Sequence, residues 1–327
     1  PTTASFLTAW PAGLPLPLAA NLNYVAGQTV PNLVTVKVGA GGQVSLYNNA
    51  GSTHVVADVA GWYGEVGATS GSRFTSLAPA RILDTRDGTG TQLPQNCPGV
   101  PRLCPGGSVD IQVTGLGGVP TTGVDAVVLN VTVTQPTATS FLTAWPAGAD
   151  KPWAANLNYV AGQTVPNLVV VKVGAGGKIS LYNDAGSTHV VADVTGWFGA
   201  DGVPGAAGYT SLVPARILDT RFAVGAPGVL GQGSTLDLQM TGRGGVPASG
   251  VSAVVLNVTV TQPTAPSFLT AWPTGSPFPL AANLNYVANL TVPNLVVVKV
   301  GTGGKVSLYN DAGSTHVVAD VAGWFSD

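Results

Sequence analysis

Charge is scarce in this chain. Lys, Arg, Asp and Glu make up 9% of its 327 residues and balance to a net charge of −2, so there is no basic patch for nucleic acid and no cationic face for a membrane surface. Two cysteines without nearby histidines are too few ligands for zinc. No phosphate loop or nucleotide fingerprint appears, so neither a metal nor another cofactor is implied. No apolar run approaches the roughly 18 to 20 residues of a membrane-spanning helix. The chain opens without a signal peptide, but Pro1 falls in mid-repeat and that absence excludes nothing. Helical periodicity is nearly missing. What is plentiful is Gly (44) and Pro (25), spread between apolar runs as in a turn-rich β protein and not gathered into a low-complexity tract.

The chain says nearly the same thing three times. Trp10, Trp145 and Trp272 each open a copy of a segment, B, reading SFLTAWP, AANLNYVA, TVPNLV, VKVG, SLYN and STHVVADV, and closing on Gly-Trp-Phe or Gly-Trp-Tyr. A second segment, A, occurs twice: FTSLAPARILDTR, SVDIQVTGLGGVP and VDAVVLNVTVTQ from Phe74, and its counterpart from Tyr209. The order is therefore B-A-B-A-B, the mark of a modular array. The last two B copies differ most in the loop after SFLTAWP, at Ala147, Ala149, Asp150, Lys151 and Trp153.

Short alternating or β-branched runs bounded by Gly, Pro, Asn and Asp read as strands, about five in B and about four in A. The expected fold is all-β: tandem antiparallel β-sandwich modules of about nine strands. The boundaries are a half module at 1–64 and full modules at 73–199 and 208–327. A lone B at 1–64 exposes a sheet face and a strand edge, so copies of the chain are expected to join head to tail there.

Cys97 and Cys104 bound an insertion that the second A copy lacks. A loop stapled at its base by a disulfide suits an oxidising, extracellular compartment. The motifs PARILDTR, VVLNVTVT and DVxGWF resemble a module of secreted and surface proteins of high-GC Gram-positive bacteria. The resemblance implies a secreted or surface location and tandem repetition, with no enzymatic role.

His54, His189 and His316 each stand four residues before an aspartate (Asp58, Asp193, Asp320) and two after a serine (Ser52, Ser187, Ser314). In a strand, i and i+4 share a face but lie about 13 Å apart, beyond the roughly 3 Å contact a nucleophile, base and orienting acid require. No catalytic residue is assigned. Arg81, Asp84 and Arg86, repeated as Arg216, Asp219 and Arg221, could grip an anion, but are read as an ion-pair clasp pinning A to B. In a regular strand Arg81 points away from Asp84 and Arg86. Six tryptophans occupy two repeat positions and read as core plugs. Trp153 has Leu18 and Leu280 at its equivalents and, with Asp150 and Lys151, forms the candidate ligand-binding loop. Asn130, Asn257 and Asn289 start sequons but are taken as strand or turn residues, and YNDAG offers few oxygens for calcium.

Two functions fit these residues. One is a non-catalytic extracellular structural or adhesive protein assembling into a filament or surface layer. The alternative is a carbohydrate-binding array that recognises cell wall or polysaccharide, gaining avidity by repetition.

Overall fold

The computed structural model describes residues 1–59, 61–63, 72–90, 102–199, 208–226 and 228–326. Nearly all of its regular structure is antiparallel β. The first B segment forms β1 (Ser5–Pro11), β2 (Leu22–Tyr24) and β3 (Val44–Asn48). The next A segment supplies β4 (Arg73–Asp84), β5 (Gly107–Gln112) and β6 (Val124–Thr134). Its B segment adds β7 (Ser140–Pro146), β8 (Leu157–Tyr159), β9 (Val165–Lys172), β10 (Lys178–Asn183) and β11 (His189–Gly199). The last pair repeats this as β12 (Tyr209–Asp219), β13 (Ser234–Gln239) and β14 (Val251–Thr261), then β15 (Ser267–Pro273), β16 (Leu284–Tyr286), β17 (Val292–Lys299), β18 (Lys305–Asn310) and β19 (His316–Ser326).

A and B are interleaved in the sheets. In the middle sandwich one sheet runs β4-β11-β6-β9 and the other β5-β10-β7-β8; the last sandwich has β12-β19-β14-β17 and β13-β18-β15-β16. The sandwiches are thus eight-stranded. A contributes three strands where about four were expected; FTSLAPARILD is one strand whose pairing breaks around Pro79, a residue with no N–H to give. Alternation fills each core: Val127, Leu129, Val131 and Val133 of β6 meet Val169, Val171, Ile179 and Leu181, and burying this apolar surface is the main stabilising term.

The opposite face of the same strands is buried too. Val128, Leu168, Val255, Leu295 and Val297 share a third core with Phe74, Phe198, Tyr209 and Phe325, and Tyr63 stacks on Tyr209 with centroids 4.2 Å apart. Around this centre the three B segments close a ring. The N–H of Leu33 donates to Asn167 Oδ1 (3.3 Å), that of Leu168 to Asn294 Oδ1 (3.2 Å), and that of Leu295 to Asn32 Oδ1 (3.1 Å). Asn32, Asn167 and Asn294 are equivalent repeat positions, so these head-to-tail contacts follow a pseudo-threefold axis. Asn130 and Asn257 add bonds from their Nδ2 to the carbonyls of Ala282 (2.6 Å) and Ala20 (2.5 Å). The sequon asparagines of β6 and β14 therefore join neighbouring parts of the ring, while Asn289 sits in a turn at positive φ.

The first B segment does not keep five strands. Its sheet is only β2-β1-β3, and residues 32–38 and 53–59 are irregular. Their counterparts β9 and β11 pair solely with strands of an A segment, and among the described residues no strand pairs with them here. An extended chain without a partner has no ladder to join.

Cys104 is buried and is not a free thiol. Its expected partner Cys97 lies outside the described residues. Thiol labelling of the unreduced, denatured protein is expected to find no free cysteine.

Candidate functional site

Two arrangements concentrate the polar and aromatic side chains. The first is the arginine cluster. Arg81 grips Asp193 of β11 with two bonds (Nε–Oδ1 2.9 Å, Nη2–Oδ2 3.3 Å) and reaches Asp84 Oδ2 at 3.1 Å, while Arg86 holds Asp84 at 2.9 and 2.6 Å. The last sandwich repeats it: Arg216 to Asp320 at 2.8 and 3.1 Å and to Asp219 at 3.2 Å, with Arg221 on Asp219 at 2.9 and 2.7 Å. Each network crosses from A to B. Arg81 therefore faces Asp84, against the expectation for a regular strand. Leu83 pairs with Ala192 but Arg81 with Asp193, so Ile82 is the extra residue of a bulge, which turns the i and i+3 side chains to one side.

Burial works to raise the Asp84 carboxyl, yet the hydrogen bonds and charge of Arg86, with Arg81, outweigh it and hold it below its ordinary value. Asp219 is held low chiefly by its hydrogen bond from Arg221. For Asp193 and Asp320 burial dominates and pushes both up, against the pull of Arg81 and Arg216. The histidines take other partners: the Nδ1 atoms of His189 and His316 lie 3.0 Å from the hydroxyls of Thr85 and Thr220. Among the described residues no group of three or more His, Cys, Asp or Glu could hold a metal ion.

The second arrangement lies on the outer face of the β5-β10-β7-β8 sheet, away from the central core. Because Leu142 and Ala144 point into the sandwich, Phe141, Thr143 and Trp145 point out. Trp145 is buried, but not as the core plug its repetition suggested. It lies beneath its own loop, where Nε1 donates to the Ala149 carbonyl (3.0 Å); Trp10 does the same to Leu14 (2.9 Å) and Trp272 to Ser276 (3.2 Å). Trp197, by contrast, is part of the sandwich core.

This staple fixes the base of the variable loop and leaves its crest free. Trp153 is fully exposed. Lys151 sets its ammonium 4.4 Å from the ring centre of Tyr182 and 5.6 Å from that of Trp153, within cation–π range. Phe141 extends the row, 6.1 Å from Tyr182, and Asp150 is exposed in the same loop. Beside them a shallow depression of about 480 Å³ is lined by Ser108, Asp110, Trp145, Lys178 and Ser180. The platform therefore includes Tyr182 and Phe141, which loop variability alone does not single out; their signal is alternation with the buried Leu181 and Leu142.

Equivalent faces carry different chemistry. In the last sandwich Phe278 replaces Lys151 and packs edge-on against Trp272 (5.2 Å) and Tyr309 (4.9 Å), with Leu280 exposed beyond. In the first B segment Leu16 and Leu18 are exposed at these positions. Frames of one geometry thus present cationic-aromatic, aromatic and aliphatic crests.

No family model and no curated protein matches the chain. Among solved structures, it is similar to the N-terminal CBM22-1-CBM22-2 tandem domain from Paenibacillus barcinonensis Xyn10C, over 76% of this chain and 99% of that one, at 12% identity and a TM-score of 0.21. A likeness of that size carries no argument about function.

Proposed function

We propose that the protein is a non-catalytic extracellular binding array that takes up polysaccharide on the outer face of its middle sandwich. The observation that carries this reading is Trp153, a fully exposed indole held by a stapled loop beside Lys151 and Tyr182. A flat aromatic surface of this kind stacks on the apolar face of a sugar ring, and the adjoining hydroxyls, Asp110 and Lys178 supply hydrogen-bonding groups. A shallow open face suits an extended polymer better than a small molecule, which is usually enclosed.

Affinity electrophoresis in gels containing cell-wall or plant polysaccharides tests it. Trp153→Ala is expected to weaken retention about tenfold, roughly 1.4 kcal/mol, with Tm unchanged because the side chain is free of packing. Equal retention of the parent protein, Trp153→Ala and Tyr182→Ala in every polysaccharide would remove the reading.

A structural or adhesive protein assembling head to tail is the second reading, supported by the apolar runs left open in the first B segment. Sedimentation velocity over a concentration series separates the two. Growth in size with concentration supports assembly, and a constant monomer leaves binding as the function.

A further inference from the structure

The first B segment has a gap whose shape is known, because the chain fills the same gap twice elsewhere. In the middle sandwich β11 lies between β4 and β6, and β6 lies between β11 and β9. Among the described residues, the counterparts of β11 and β9 in the first B segment, residues 53–59 and 32–38, pair with no strand. Val56 is 87% exposed where Val191 is 4%, and Trp62 is 79% exposed where Trp197 is 3%.

The closing glycines report the same vacancy. A Cβ on Gly196 would lie 2.3 Å from the Phe74 ring, and one on Gly323 would lie 2.2 Å from the Tyr209 hydroxyl; one on Gly61 would meet nothing within 4 Å. Likewise a Cβ on Gly177 or Gly304 would strike Thr114 or Thr241, whereas Gly42 is open. Each filled site uses an A segment for every one of these contacts. The polar partners are also in place: exposed Asp58 and His54 match Asp193 on Arg81 and His189 against Thr85. Tyr63 already sits in the central aromatic cluster. The ring thus holds three B segments and two A segments.

We propose that the first B segment is an acceptor for a third A-type segment, supplied from outside residues 1–327, whose strands insert on both sides of residues 53–59 as β4 and β6 do around β11. The recognised chemistry is an opening aromatic over Gly61, a PARILDTR arginine on Asp58, its threonine on His54, and a VVLNVTVT strand between residues 53–59 and 32–38. This is strand addition with pockets that specify sequence, and it is independent of polysaccharide binding.

The test titrates the full chain with a synthetic peptide spanning residues 208–262, the A copy without cysteine. Saturable one-to-one binding is expected, with amide exchange in 32–38 and 53–59 slowed at least about tenfold on pairing. Gly61→Ala is expected to leave the chain's own stability unchanged yet weaken peptide binding about a hundredfold or more, because its methyl takes the place of the aromatic ring. Asp58→Ala is expected to weaken it about tenfold. The same peptide joined ahead of Pro1 by a flexible linker gives an intramolecular version read at the same amides. Exchange that stays fast in both formats overturns the proposal, as does undiminished binding by Gly61→Ala. Protection that arises from protein concentration alone, without peptide, would assign the site to a second copy and equally overturn it.

Discussion

Arg216→Ala is expected to lower the stability of the last sandwich by about 3 kcal/mol, a fall in Tm on the order of 10 °C for a unit of this size. The change strands Asp320, whose buried carboxylate accepts two bonds from Arg216 of the A segment. Arg81→Ala should do the same to the middle sandwich through Asp193. Asp58→Ala is the internal control. Asp58 occupies the equivalent position but is exposed, so its loss should move stability by less than about 0.5 kcal/mol. Calorimetry of the three variants decides. Unchanged stability in Arg216→Ala, together with lost ligand binding, would transfer the arginines from a clasp to a binding role.

Phe325→Ala is expected to cost about 3 to 5 kcal/mol, and its effect should differ in kind. The Phe325 ring lies 4.2 Å from that of Phe74, 5.0 Å from Tyr209 and 6.1 Å from Tyr63, centre to centre, so one side chain touches residues of all three B-containing parts of the ring. Removing it should loosen the parts from one another as well as destabilise the last sandwich. Leu308→Ala, which opens a cavity inside one sandwich core, should lower stability without that loosening. Small-angle scattering and calorimetry distinguish them: Phe325→Ala is expected to raise the radius of gyration and to split the unfolding transition. A single transition with unchanged dimensions would mean that the asparagine ring alone holds the parts together.

The strands were legible from the residues because their signals are local. Alternation in SVDIQV, β-branched runs in VVLNVTVT and turn residues such as Asn-Asp-Ala-Gly act within a few positions, and runs of this kind, among them VDIQ, VVLNVTVT, NLVVVK, KISLYN and HVVADVTGWF, are strands in the structure. The exposed crest at Lys151 and Trp153 was legible too, since repeats differ most where little packs on them.

What only the tertiary structure decided depends on which segments meet. Interleaving of A and B strands is a matter of long-range pairing, which no local pattern encodes. The bulge at Ile82 reverses one side chain and so brings Arg81 to Asp84. The face of Trp145 follows from which side of its sheet is covered. Asn32, Asn167 and Asn294 look like ordinary strand asparagines until the ring brings each against a neighbouring leucine amide. The same cause explains the first B segment. Its residues 32–38 and 53–59 have the strand pattern of their counterparts, but a strand forms only where another offers its backbone, and that partner belongs to an A segment.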